Sequence, residues 1–560
     1  TPPTPPSRYR ATWLPSPGGR GRGFHLFFSA RMAATATPAT AEPKPQSLTQ
    51  AAVQGVKWTT AATLASSLLQ VGYTAVMARL LSPEAFGLVA LAGILMRFGT
   101  YFAQMGMEQA IIQKAELTER DVRAAFTSSV GLGVLFGGLL ALLAPLGGQL
   151  LDEPAVVPVA RAMSAGLLLT GLYATGVSLL RRQMRFRTLA ISEVTAFVLG
   201  YAGVGITLAW QGFGVWSLVG AQLAQAAILV VLAYATTRHP VRPLFDWATY
   251  RPLVHYGGWS SVISFCEYMT GELDKLSISR LWGAAAVGLY SRAWMLIGLP
   301  IYTLSASVAR VALPSFSQVQ HDRPRLRAAY LRSLLLIGSV IPPICLGAAA
   351  AAPEVVRLML GEQWLDAVPV FRLVCGVFAL SMMNMFAATV ADATATLQRK
   401  LWLTLAHAGA LLALFGGLRG FGLIGVAVGV LLGEVLRTAC YVLLMRRVLD
   451  VAPLKVLGCY LPALLLSAGV GLSIGAVAWL SQQQGWALPV AFGAEVLAGA
   501  VSLGGLALLL PLRQLHREVA RHLGHLEVPG TARLQAWLSR HEAAELRPSV
   551  PDSTASVLVP

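Results

Sequence analysis

This chain is short of charge. Only 12% of its 560 residues are Asp, Glu, Lys or Arg, about half the roughly 25% of a soluble globular domain. That shortage excludes a water-soluble fold of this length. Acids are scarcer than bases, 26 against 43, for a net charge of +17. Cysteine is scarce as well. Cys266, Cys345, Cys375, Cys440 and Cys459 are scattered through apolar segments, with neither metal-ligand spacing nor a disulfide framework. They read as small buried core residues. The chain also has no Asp-x-Asp motif and no large loop on one side, which argues against a polysaccharide polymerase or a metal-dependent glycosyltransferase.

What the chain does have is long apolar runs: 55% of its residues are hydrophobic and its mean hydropathy is +0.62. A helix needs about 20 apolar residues to cross the bilayer core. Stretches of that length recur at 57–80, 85–107, 124–147, 158–180, 188–210, 213–236, 253–281, 284–312, 330–352, 367–393, 401–418, 421–445, 456–480 and 488–511. The expected fold is therefore an all-α polytopic membrane protein of about fourteen transmembrane helices. Ahead of them, residues 1–50 are rich in Pro, Thr, Ala, Gly and Arg and are expected to be a disordered extension. The bland run opening at Met32 suggests a native start there.

Basic residues explain the net charge without invoking nucleic acid, because Lys and Arg collect in cytoplasmic loops. One alternate set of loops carries Lys114, Arg120, Arg123, Arg181, Arg182, Arg185, Arg187, Arg238, Arg242, Arg323, Arg325, Arg327, Arg399, Lys400, Arg446 and Arg447. The other set has little beyond Arg79, Arg280, Arg357 and Arg419, with Arg161 at an edge, beside Glu84, Asp152, Glu153, Glu354 and Glu362. This alternation places both termini on the cytoplasmic side. Past residue 511, Leu512, Leu515, Val519, Leu523 and Leu526 face away from Arg513, Arg517 and Arg521. That pattern predicts a basic amphipathic helix on the inner leaflet, followed by a disordered tail to residue 560.

The chain repeats itself. Arg79-Leu80-Leu81 precedes Gly87-Leu88-Val89 as Arg280-Leu281-Trp282 precedes Gly288-Leu289-Tyr290. Arg123-Ala124-Ala125-Phe126 answers Arg327-Ala328-Ala329-Tyr330, and Gly212-Phe213-Gly214 answers Gly420-Phe421-Gly422. Six spans is an even number, so both copies enter from the same side, as in a parallel repeat about an axis along the membrane normal. The expected organisation is a lobe at 51–240, a second at 241–450, two added spans at 451–511 and the tail at 512–560. Two such lobes without a large soluble domain describe a transporter that rocks around a central cavity, and not an enzyme.

Several of these residues carry a family resemblance. Arg79-Leu-Leu-Ser-Pro-Glu-Ala-Phe-Gly87, Asp274-Lys275, Gly288-Leu-Tyr-Ser-Arg-Ala293 and Leu313-Pro-Ser-Phe-Ser317 resemble the oligosaccharide flippases of bacterial polysaccharide export. Those belong to the superfamily that also holds multidrug and toxin extruders. The resemblance implies an inner-membrane flippase for undecaprenyl-diphosphate-linked oligosaccharide, serving O-antigen, capsule or exopolysaccharide assembly. It implies a lipid-linked cargo and membrane lipids as partners, alongside a polysaccharide polymerase and glycosyltransferases. A flippase of the peptidoglycan lipid precursor and a cation-coupled drug exporter remain the alternatives.

A diphosphate cargo needs cations at membrane depth, and Arg suits bidentate contact. The cations at that depth are Arg97, Lys275, Arg292, Arg310, Arg372 and Arg437; the first four are the candidates, with Arg97 and Arg292 expected to face each other across a cleft. Acids in apolar spans are rare and face bundle interiors or wet cavities. Glu267, Glu272, Asp274 and Asp392 are the ion-coupling or charge-pair candidates, toward Na+ or H+, with Glu193 and Glu434 as further buried acids. Glu272 and Lys275 are three residues apart and so positioned to pair. No cofactor or metal is expected. Gln70 and Asn384 are among the groups that could hydrogen-bond sugar hydroxyls, and helix–helix packing accounts for them equally well.

Overall fold

The computed structural model describes residues 48–104, 111–112, 114, 117–244, 268–394 and 397–509. The expected N-terminal extension before residue 48, the basic amphipathic tail after 509 and the candidate Glu267 lie outside the described residues. Within them the chain is helical, and no strand occurs.

The first set of helices is α1 (Leu48–Leu80), α2 (Pro83–Gln104), α3 (Glu119–Leu151), α4 (Val156–Arg182), α5 (Phe186–Trp210) and α6 (Val215–Thr237). The second comprises α7 (Leu273–Gln318), α8 (Arg323–Gly338), α9 (Ile341–Ala350), α10 (Ala352–Met359), α11 (Val368–Ala393), α12 (Leu397–Leu418) and α13 (Gly422–Leu449). Then come α14 (Pro453–Gly458), α15 (Tyr460–Gln483) and α16 (Leu488–Leu509).

Local chemistry sets several ends. Thr118 starts α3 through a capping box with Asp121, which satisfies N–H groups that have no partner within the helix. Asp322 caps α8 by accepting from the Arg325 N–H, and Pro324 stands in the first turn, where no helical hydrogen bond is lost. Gly283, at φ 75°, breaks α7 into a limb at 273–282 and a longer one at 284–318. A side chain there would strain the left-handed backbone. Inside α5, residues Val198–Gly205 relax into a π-helical stretch, where Gly200 lies against the backbone of Gln225 on α6.

Eleven helical stretches among the described residues are long and apolar enough to span a membrane, against the fourteen expected. Much of the difference comes from fused stretches. The stretch Trp402–Leu449 has 48 residues, about 72 Å of helix at ~1.5 Å per residue, more than twice a hydrocarbon core of ~30 Å. It turns at Arg419–Gly422 and its two halves, α12 and α13, pack on each other. The stretch Leu273–Tyr302 likewise continues through the break at Gly283.

Packing follows the sequence repeat. In the first set α3 lies on α4, α4 on α6, and α2 on α4. In the second, α11 lies on α7, α9 and α13, and α12 on α13. Helix α15 pairs with α16 and with α9, so the C-terminal pair docks on the second set. The two sets meet along α2 and α7.

Candidate functional site

The seam between the sets is built from the repeated residues. Gly87 and Gly288 face each other. A Cβ on Gly87 would sit 1.8 Å from the Ala284 carbonyl oxygen, and one on Gly288 would sit 1.8 Å from that of Pro83. The register that aligns Gly87 with Gly288 also aligns Pro83 with Ala284. The contact is therefore the same on both sides, the mark of a two-fold interface. Lipid gives helices little hydrophobic reason to associate, so such crossings depend on small residues and close backbone approach.

The repeated arginines close the same end of the seam. Arg79 reaches the Leu358 carbonyl at the end of α10 (2.7 Å), and Arg280 reaches that of Leu150 at the end of α3 (3.2 Å). Each satisfies a helix C-terminus in the opposite set, where carbonyls lack intrahelical partners. Glu153 accepts from the Ala284 N–H at 3.0 Å and so caps the second limb of α7 just past its break. Buried Trp364 donates to the Ala78 carbonyl at 2.8 Å and lies edge-on to Phe86. This end carries the loops poor in basic residues.

Two cavities lie nearer the other end. One, of about 450 Å³, is bounded by α1, α4, α5 and α7 and lined by Thr59, Thr63, Ser66, Ser67, Gln70, Arg181 and Glu193 among others. Its wall on α1 is uncharged and hydroxyl-rich. The second, also about 450 Å³, lies within the second set and is lined by Asp274, Tyr302, Lys400, His407, Glu434, Arg437 and Tyr441 among others.

Side-chain pairing sorts the candidates. Lys275 pairs with Glu272 at 2.5 Å, so these two neutralise each other within one helical turn. Asp274 is buried, accepts from the Tyr290 hydroxyl at 2.7 Å, and bonds the Lys275 backbone N–H. Asp392 pairs with Lys400 at 3.0 Å. Glu434 pairs with Arg437 at 3.2 Å and accepts from Asn384 at 3.1 Å. Arg292 lies with its guanidinium 4.6 Å from the centre of the Phe86 ring and contacts the Met295 sulfur at 3.0 Å. Its Nε is buried without a hydrogen-bond partner among the described residues.

Arg97 is exposed, 5.8 Å from the Tyr268 ring. The repeat register pairs Arg97 with Gly298, not with Arg292, so these two cations occupy inequivalent places. Arg310 lies on the second limb of α7, and its side chain falls outside the described ones. The sequence reading overlooked Lys400, counted only as a loop cation, and His407, hidden in an apolar run. The available signal was Asp392, a membrane-depth acid with a lysine eight residues on, across a turn.

A model of the polysaccharide biosynthesis protein family matches residues 76–369, more than half of the chain. The chain belongs to that family. The match begins in α1, runs through the seam and ends at the start of α11, so it takes in both copies of the repeated Arg and Gly. Among curated proteins, the chain is 25% identical over 331 residues to the lipopolysaccharide biosynthesis protein WzxC of Escherichia coli, covering 59% of this chain and 67% of that one. It is 29% identical to the succinoglycan biosynthesis transport protein ExoT of Rhizobium meliloti, covering 55% and 61%. It is 23% identical to the teichuronic acid biosynthesis protein TuaB of Bacillus subtilis, covering 58% and 68%. The matched regions thus span roughly two thirds of these relatives.

Two solved structures share the fold. One is the lipid II flippase MurJ in an inward closed conformation, at a TM-score of 0.61 and 12% identity, covering 80% of this chain and 98% of that one. The other is an inward-facing multidrug resistance MATE family transporter, at 0.53 and 18%, covering 69% and 94%. The chain is a multi-pass membrane protein of this architecture.

Proposed function

We propose that this protein is a flippase that carries a lipid-linked oligosaccharide across the bacterial inner membrane for polysaccharide assembly, without catalysing a chemical step. The observation that carries the reading is the seam: two helix sets meet through reciprocal contacts at one end, while polar cavities lie nearer the other. Such a body changes access by rocking one set against the other around a central site. The bias of Lys and Arg toward one set of loops supports a cytoplasmic cavity end with both termini on that side, and on this reading the closed seam faces out. Membership of the polysaccharide biosynthesis family and likeness to WzxC and ExoT favour a glycan cargo over a small drug.

The cargo chemistry fits the lining. Sugars need hydroxyl and amide partners, which α1 supplies with Thr59, Thr63, Ser66, Ser67 and Gln70. A diphosphate needs cations. In the second cavity Lys400 and Arg437 are already paired with acids, whereas Arg292 has no carboxylate partner among the described residues. Arg292, which lies against Phe86 at the seam, is therefore the cation assigned to the phosphate. The test uses cells lacking the native copy. Arg292→Met is expected to fold and to remove surface polysaccharide while lipid-linked oligosaccharide accumulates on the cytoplasmic leaflet. Unchanged surface polysaccharide would reject the assignment. Accumulation of peptidoglycan lipid precursor instead would reject the glycan class.

A further inference from the structure

The acids in the middle of the bundle are matched: Glu272 by Lys275, Asp392 by Lys400, Glu434 by Arg437 and Asn384, and Asp274 by Tyr290. Glu193 lines the cavity beside Arg181. A different situation holds where the C-terminal helix pair docks on the second set. Glu495 on α16 is fully buried, and neither of its carboxyl oxygens has a hydrogen-bond partner among the described residues. Its charged neighbour is Glu354 on α10, itself 4% exposed, whose Oε2 is likewise unpartnered. The other Glu354 oxygen accepts from the Gln482 amide on α15 at 3.3 Å. Three carboxylate oxygens are thus buried and bare at one point where α10, α15 and α16 meet.

No cation described around them neutralises this charge. The arginine on α10, Arg357, points to Glu362 at 3.4 Å. Helix α9, which also touches α16, carries no acid or base, and α15 carries none either. Two ionised carboxylates cannot stay side by side in such a place, because desolvation and like-charge repulsion act together against them. A hard metal ion is a poor match. Calcium takes 6–8 oxygen ligands, whereas this point offers three free carboxylate oxygens, and the Gln482 amide presents its N–H. One proton is enough.

We propose that Glu354 and Glu495 form a proton-binding carboxyl pair that fastens α16 to the second helix set. The proton sits on Glu495, and its O–H donates to Oε2 of Glu354. The single remaining negative charge rests on Glu354, where the Gln482 N–H already donates. Binding takes the pair from two negative charges to one, with the proton drawn from the outer aqueous side, where these helix ends lie. The site is independent of the cargo assignment, and its test reads no transport.

Thermal unfolding of the purified full-length protein is to be followed from about pH 6 to about pH 10, bracketing ordinary carboxyl and alkaline conditions. Loss of the shared proton leaves like charges bare, so the wild-type midpoint is expected to fall across the alkaline half of that range. Glu495→Gln, whose amide can donate to Glu354, is expected to lose that fall. Infrared spectra at neutral pH are expected to show a protonated-carboxyl C=O band that disappears in both Glu495→Gln and Glu354→Gln. A band and pH profile unchanged in both variants would overturn the proposal. So would a wild-type midpoint raised by added sodium or calcium at fixed pH but unresponsive in Glu495→Gln, which would make this a metal site. If one variant fails to fold, the band in the other and in the wild type still decides.

Discussion

At the scale of single residues, the charges that looked anomalous in the sequence divide by their partners. Lys275 was attractive as a cargo ligand because it stands in an apolar helix, yet Glu272 holds it at 2.5 Å. Its spacing already allowed that outcome, since three residues along a helix bring side chains together. Arg292 is different because its near neighbours are a ring and a thioether. The Glu434–Arg437 pair gives a testable contrast. Arg437→Ala leaves Glu434 with Asn384 as its named partner, and breaking a buried pair on one side costs about 3–5 kcal/mol. Arg437 is 30% exposed, so a loss nearer about 2–3 kcal/mol is expected. It should appear as a lowered unfolding midpoint, partly recovered in the double variant Glu434→Gln/Arg437→Ala. A double variant no better than the single one would mean that the pair is not energetically coupled.

At the scale of elements, the crossing of α2 and α7 depends on two glycines. Gly87→Ala or Gly288→Ala inserts a methyl group where a backbone carbonyl stands. Overpacking of this kind costs about 1–3 kcal/mol, and here the obstacle is backbone, which cannot swing aside. Either variant should lower the unfolding midpoint and open the seam. Gly93 on the same helix α2 is the control, since a Cβ there meets nothing within 4 Å. Gly93→Ala should be neutral or stabilising by up to about 1 kcal/mol, because alanine favours helix over glycine. Equal effects at Gly87 and Gly93 would show that the close approach does not matter. The break at Gly283 belongs to this scale too. The spans expected to end at 281 and begin at 284 are separated by this kink, a single residue of positive φ, with Glu153 capping the far side.

At the scale of the molecule, Arg79 and Arg280 act as a matched pair of cross-seam caps. Removing both should loosen the closure of the seam without touching either cavity. With the native cysteines replaced, a cysteine at Ser291, which is 8% exposed, should resist an impermeant thiol reagent in the otherwise intact protein. The Arg79→Ala/Arg280→Ala variant should label it at least several-fold faster, and on the proposed orientation from the outer side. Equal rates would mean that the arginines do not hold the closure.

Composition and periodicity were enough to establish a helical membrane protein, because a bilayer forces every backbone polar group to find its partner within a helix and leaves a length signal of about 20 residues. The repeat was legible too, since Arg79/Arg280 and Gly87/Gly288 recur in register, and the family followed from the motifs around them. What the sequence could not say is that the two glycines meet each other and that each arginine reaches a helix end in the opposite set. Pairing between helices far apart in the chain leaves no local period, so only the tertiary structure turned a repeat into a seam. The same holds for the carboxylates: Asp392 is a charge-pair candidate and Glu434 a buried acid in the sequence, and only packing puts Lys400 and Arg437 beside them. Glu354 and Glu495, unremarkable in one dimension, became the uncompensated pair because burial and the lack of a partner are properties of three-dimensional packing alone.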